Sequence, residues 1–186
     1  MSNFRGLKKV ISGGQTGADQ AGLMAAFRKG VETGGTAPSN FYTDAGPNPL
    51  LSLLGLKAEG DYRGRTIKNI RDSDGTLLLS VTLNSPGSQL TRNEAARQKK
   101  PYLEFDLTSF MAEQDADARM AHGDTLFELS SAIHKWIVDN RLATLNVAGN
   151  REKHKDLLTT RTVELIVASA LELLDLDGLL IRDSDF

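Results

Sequence analysis

No cysteine occurs among the 186 residues. That absence removes disulfide frameworks, thiolate nucleophiles, zinc ribbons and iron–sulfur ligation together, because each needs sulfur. Neither sign of charge dominates: 22 Lys and Arg face 24 Asp and Glu, a net charge of −2 at pH 7. No basic stripe is present of the kind that binds a nucleic-acid backbone by releasing counterions, so nucleic acid is not an expected partner. Long apolar runs are missing as well. The opening MSNFRGLKKV has no signal-like apolar stretch, and nothing approaches the ~20 residues that cross a bilayer. The expected address is the cytoplasm, without a membrane partner. His122, His134 and His154 lack metal-ligand spacing, and no Ser-His-Asp set comes with a nucleophile elbow, so no metal site is expected.

What is present is a globular composition, 40% hydrophobic with 17 glycines. A chain of this length buries roughly 70% of its surface on folding, enough for a core without staples. A single domain over residues 1–186 is expected, with a tail at about 176–186. Residues 9–12 read as a strand that stops at Gly13-Gly14, and the small-residue pattern from Ala18 to Lys29 reads as a helix. A short strand runs from the Gly30–Gly35 glycine cluster into Thr36-Ala37. Residues 38–60 read as one long loop, a candidate lid, with a helical turn at Leu50–Leu54. Next come a helix over 61–71, a strand over 76–81, a turn at 84–88, a helix over 91–100 and a strand over 101–105. After a polar insertion at 111–124, a helix over 126–137, a strand over 144–147 and a helix over 157–174 complete the chain. Strands alternating with helices predict an α/β fold, a doubly wound parallel sheet of about five or more strands with helices on both faces. The last helix is apolar nearly all round, which points to a homo-oligomer surface or to burial between neighbours.

In such a sheet, ligands gather beyond the carboxyl ends of the strands. Four strand-end segments carry unusual residues. Gly13, Gly14, Gln15, Thr16, Gly17 and Asp19 follow the first strand, where glycines admit a ligand to the backbone and helix-start amides favour phosphate; a tight turn with a helix cap would use the same residues. Arg65, Asn69 and Asp72 fall at i, i+4 and i+7 on one helix face, followed by Ser73, where a solvated face is the alternative. Gly87, Ser88 and Thr91 offer a free amide and hydroxyls at a helix start, or simply a cap. Asn146 and Arg151 flank the end of the last strand. Neither the P-loop pattern nor G-x-G-x-x-G is met, which excludes the standard NTPase and NAD readings.

SGGQTGADQAGL, GGTAP with the Asp44-Ala-Gly46-Pro47-Asn-Pro49 stretch, RTIKNIRDSDGTLLLS, PGSQLT and LNVAG-N-RE, in that order, resemble the family of proposed molybdenum cofactor carriers. The likeness runs over about the whole chain. The family lies within the Rossmann-like group that includes the lysine-decarboxylase-like phosphoribohydrolases. The resemblance implies a parallel sheet, a phosphate-bearing ligand such as a pterin (the molybdenum cofactor, molybdopterin) or a nucleotide, and frequent homo-oligomers. It assigns Gly13, Gly14, Thr16, Gly17 and Asp19 to a first phosphate-side loop, Arg65, Asn69, Asp72 and Ser73 to a second cluster, and Gly87, Ser88 and Thr91 to the cradle, with Asp44 in the adjoining segment. A carrier rather than an enzyme is expected. The hydrolase motif P-G-G-x-G-T-x-x-E aligns with Pro86 to Glu94, so the alternative is a nucleotide N-ribosyl hydrolase using Arg65 and Glu94; a nucleotide sensor without catalysis is the third reading. Without cysteine, a molybdenum cofactor would be held through its own phosphate and pterin.

Overall fold

The computed structural model describes residues 4–109, 119–151 and 158–182. Eight strands and five longer helices are present among them: β1 (Lys9–Ile11), α1 (Ala18–Arg28), β2 (Glu32–Ala37), β3 (Tyr42–Thr43), β4 (Gly46–Pro47), β5 (Leu56–Ala58), α2 (Tyr62–Asp72), β6 (Gly75–Ser80), α3 (Pro86–Arg97), β7 (Tyr102–Asp106), α4 (Arg119–Asp139), β8 (Thr144–Gly149) and α5 (Leu158–Leu176). Six strands form one sheet in the order β5-β2-β1-β8-β6-β7, with every pair parallel. This is a Rossmann-like α/β fold. The expected insertion lies outside the described residues over 111–118. Among the described residues no helix is long and apolar enough to cross a membrane.

The two faces of the sheet differ in chemistry, and that difference positions the site. Val10, Leu145, Val147, Leu77 and Leu79 alternate onto one face and join the main core with α1, α4 and α5. The other face receives Lys9, Thr144, Asn146 and Thr76, which the register brings into neighbouring rows, and it is covered by the polar helices α2 and α3. Successive side chains on a strand point to opposite faces, so a run such as Thr144-Leu145-Asn146-Val147 serves both.

The last helix is less open than its composition implies. Val163, Ile166, Val167, Ala170, Leu171 and Leu174 are buried in the core, packed against α1 and α4. Leu165, at 51% exposure, and Phe127 of α4, at 64%, stay in solvent.

Three local expectations change. Residues 38–60 are not one loop: they hold two 3-10 turns, Ser39–Phe41 and Pro49–Leu54, the β3–β4 hairpin, and β5 added parallel to β2. Leu-Lys-Ala has no β-branched residue, so its strand comes from pairing with Gly35–Ala37 and from burial of Leu56 rather than from propensity. Helix α3 starts at Pro86 rather than 91, since the Ser85 side chain accepts from the Ser88 amide and Pro86 stands in the first turn, where proline needs no donor. The tail docks: Leu180 bridges Leu7, and the Leu7 and Ile181 amides donate to Leu179 and Leu7 carbonyls.

Candidate functional site

A cavity of about 270 Å3 opens at the carboxyl end of the sheet. It extends over the polar face between α2 and α3 instead of standing wholly beyond the strand ends. Leu78, Asn146 and Ala148 form its floor, Thr66 and Asn69 of α2 one wall, Leu90 and Thr91 of α3 the other, and Gly13, Gln15, Tyr62, Arg63 and Arg151 surround the mouth.

Its central contact joins two segments far apart in sequence. Arg65 Nη1 donates to Asp19 Oδ2 at 2.5 Å, with the two side chains 13% and 5% exposed. Asp19 stands in the first turn of α1, where the helix dipole favours a carboxylate, and also accepts from the Gln15 amide at 3.2 Å. The guanidinium reaches it by crossing Gly13, where a Cβ would fall 1.2 Å from Arg65 Nη1. Only glycine leaves that path clear. Arg65 Nε is buried and has no acceptor among the described residues.

The mouth is organised by Gln15 and Asp44. Gln15 Oε1 accepts from the Thr16 and Asp44 amides at 2.9 and 2.8 Å, and Nε2 donates to Asp44 Oδ1 at 3.2 Å and to the Tyr62 hydroxyl at 3.4 Å. Arg151 Nη1 lies 3.2 Å from both Asp44 oxygens, and its guanidinium sits 5.3 Å from the Tyr62 ring centre, within cation–π range. Arg63 is exposed and makes no hydrogen bond or ion pair among the described residues. Three arginines and one carboxylate, Asp19, line the cavity, and Asp44 pairs with Arg151 at the mouth, which leaves one net positive charge, suited to an anion.

The remaining candidates divide. Gly87 lines the cavity at the start of α3, where an amide has no intrahelical acceptor. Gly14 and Gly17 shape the β1–α1 turn with φ of 73° and 90° but do not line the cavity, and the Thr16 hydroxyl turns back to Gln15 Oε1. Ser88 is buried beneath the helix start, donating to the Thr82 carbonyl. Asp72 and Ser73 are not brought to the cavity. Asp72 pairs with Lys68 and Arg71 and lines a separate depression with Lys9 and Thr144, while the Ser73 hydroxyl donates to the Ile70 carbonyl at the end of α2. Asn69 reaches the cavity wall, yet its amide closes on the Thr36 backbone, accepting from N at 2.8 Å and donating to O at 2.9 Å.

Glu94 does not line the cavity either. It is 6% exposed and held by Arg97 and Gln98 of its own and the following turn, with the carboxyl lowered to about 2, chiefly by the hydrogen bond from Arg97. A depressed carboxylate stabilises the fold above its unfolded pKa of about 4.3. Glu94→Gln should therefore lower stability at neutral pH, with the difference from the parent shrinking as pH falls from about 4.3 toward about 2. Urea midpoints measured across that range check this; a constant difference would mean the charge is irrelevant.

Sequence patterning missed Tyr62, Arg63, Thr66, Leu78, Leu90 and Ala148, all of which line the cavity. A helix that follows a parallel strand begins at the carboxyl edge, so reading 56–58 as a strand would have placed Tyr62 and Arg63 at the mouth.

Residues 10–170 match the circularly permutated YpsA SLOG family. The crystal structure of the putative molybdenum carrier protein from Syntrophus aciditrophicus SB is similar, at 32% identity and a TM-score of 0.72, covering 89% of this chain and 96% of that one. No curated protein matches.

Proposed function

This chain belongs to the circularly permutated YpsA SLOG family, and on that premise we propose that it is a carrier of the molybdenum-cofactor type, binding a phosphate-bearing pterin or nucleotide in the cavity between α2 and α3. The observation that carries the reading is the cluster of Arg63, Arg65 and Arg151 around one cavity at the carboxyl end of a parallel sheet, beside the first turn of α3 with its free Gly87 amide. The similar protein's description as a molybdenum carrier supports the choice of ligand. Among the described residues no three His, Asp or Glu side chains gather as a metal would need, so the phosphate and ring of the ligand are what these residues would hold. Gly13, Gln15, Asp19, Asn69, Thr91 and Asn146 belong to the same proposed site. Exposed Phe127 and Leu165 are the proposed contact of a homo-oligomer, which sedimentation of Leu165→Glu tests.

Calorimetric titration with molybdenum cofactor, AMP and inorganic phosphate, followed by chromatography for released base, tests the function. Binding without turnover is the expected result. Arg151→Ala is half-exposed at the mouth, so it should fold normally and lose about 1.5–3 kcal/mol of affinity for the anionic ligand, the scale of a charged hydrogen bond; unchanged affinity would remove Arg151 from the site. Hydrolysis through Arg65 and Glu94 would need the Glu94 carboxylate in the cavity, away from Arg97; released adenine, abolished by Glu94→Gln, would establish it against the carrier reading.

A further inference from the structure

The cavity sorts its polar groups by depth. Its floor is apolar at Leu78 and Ala148, register partners on β6 and β8, with Asn146 beside them. The interior residues Asn69, Thr91 and Asn146 are neutral and nearly fully buried. Arg65, the one interior cation, is neutralised by Asp19 at 2.5 Å. Exposed positive charge lies outside, on Arg63, which has no carboxylate partner among the described residues, and on Arg151, whose side chain is 50% exposed and shares Asp44 at 3.2 Å. A phosphate dianion inside would exchange its hydration for neutral walls at large cost, whereas at the mouth it meets guanidiniums and keeps its water. The volume of about 270 Å3 is below the ~300 Å3 at which sites for whole drug-sized ligands begin. A cavity of that size suits the ring of such a ligand, and its open mouth leaves room for the phosphate beyond it.

Asn146 supplies the second observation. It is 3% exposed and lines the cavity. Its Nδ2 donates to Thr76 Oγ1 at 3.2 Å, and its Oδ1 has no partner among the described residues. Unlike Arg65 Nε, that oxygen is not sealed from solvent: it opens onto the cavity, where water or a ligand N–H can donate to it. Asn69 cannot do this work, because both ends of its amide are closed on Thr36.

Resting on the phosphate-ligand reading above, we propose that the ligand enters ring first: a planar heterocycle with an N–H-bearing edge slots between α2 and α3 over Leu78 and Ala148, donates to Asn146 Oδ1, and leaves its phosphate at Arg63 and Arg151. The 2-amino-4-oxopyrimidine edge shared by guanine and pterins has adjacent N–H donors and meets this demand. Adenine also has an N–H for Oδ1, but the bare ring nitrogen beside it would need the Asn146 Nδ2 that Thr76 already takes.

Titrations of GMP, guanosine, neopterin, AMP and ribose 5-phosphate test the orientation and separate base from pterin. GMP should bind about tenfold tighter than AMP. Arg63→Ala should weaken GMP and ribose 5-phosphate about tenfold and leave guanosine and neopterin unchanged. Asn146→Leu should weaken GMP, guanosine and neopterin about tenfold and leave ribose 5-phosphate unchanged. Since Asn146 is buried, Leu90→Trp on the more open α3 wall is the second variant: it fills the slot and should exclude guanosine and neopterin while sparing ribose 5-phosphate. Loss of ribose 5-phosphate in Asn146→Leu and Leu90→Trp with guanosine intact would overturn the orientation yet leave the phosphate reading standing. AMP binding as tightly as GMP would overturn the N–H-edge assignment. Failure of every phosphate compound to bind the parent protein would remove the phosphate reading itself, and this inference with it.

Discussion

Asp19→Ala is expected to lose about 3–5 kcal/mol of folding stability, the range for breaking a buried ion pair by deleting one partner. The size of the effect follows from what remains. The Arg65 side chain is 13% exposed and its Nε already lacks an acceptor among the described residues, so removing the carboxylate leaves a guanidinium with little water and no counter-charge. The Gln15 amide loses its acceptor in the same step. Asp19→Asn keeps the shape and an acceptor for Gln15 but not the charge, so its loss should be smaller. The two properties should then move in opposite directions. With its neutralising partner gone, Arg65 becomes available to an anion, and Asp19→Asn should bind inorganic phosphate more tightly than the parent while unfolding at lower urea, a trade of stability for function common at binding sites. Equilibrium urea unfolding at constant slope measures the first quantity and calorimetry the second. A loss under about 1 kcal/mol in Asp19→Ala would mean that Arg65 swings out to water, as exposed pairs do.

That pair also marks how far a sequence can be read toward a site. The strand, glycine turn and helix at residues 9–29 were legible, because β-branched residues, glycines and small residues follow one another in an order that only one local structure satisfies. The apolar run 76–81 was legible as a buried strand for the same reason, and β6 is buried at every position. Side-chain direction on α2 was legible as well, since i and i+4 put Arg65 and Asn69 on one face, and both line the cavity. Depth was not. Seven residues along a helix is about 10 Å of rise, so Asp72 shares the stripe of Arg65 yet ends beside Lys9 and Thr144, where β1 and β8 begin. Periodicity gives an angle around the axis, and the position along it depends on where the helix starts. The start of α2 was legible to within one residue, but the edge of the sheet at which it stands was obscured with β5, a strand made by its neighbour rather than by its residues. The Asn84–Ser88 segment hid the start of α3 in a similar way: serine, proline and glycine signal a turn, and here the turn is the cap of a helix. Asn150 carried no local signal, because its role is to accept from Ser80, Val81 and Thr82, about seventy residues away in sequence.

Gly149→Ala should be nearly as damaging as Asp19→Ala, for a reason of space alone. Gly149 ends β8 opposite Leu79 of β6, and a Cβ there would fall 1.9 Å from the Leu79 carbonyl oxygen and 2.6 Å from Ala18 Cβ. Neither neighbour is the free end of a long side chain. One belongs to the backbone of the central strand, and the other opens α1, whose Ala18 amide is tied to the Asn150 carbonyl at 3.0 Å. Relief therefore requires β8 to part from β6 or α1 to lift. Either movement withdraws Asn150 Oδ1 from Ser80 Oγ at 2.7 Å and from the Val81 and Thr82 amides at 2.5 and 3.2 Å. Overpacking usually costs about 1–3 kcal/mol, and with both neighbours fixed the upper end, about 3 kcal/mol, is expected. For a chain of this size that lowers the melting temperature by about 6–12 °C. Gly87→Ala is the control: nothing lies within 4 Å of a Cβ there, and alanine is the better helix former, so its melting temperature should hold or rise. Because Ala148 and Gly149 also line the cavity and Arg151 stands two residues on, Gly149→Ala should weaken ligand binding in proportion as β8 shifts. A melting temperature within about 2 °C of the parent would instead mean that β6 and β8 separate easily, and that the cavity floor is not the rigid platform on which a ring could stack.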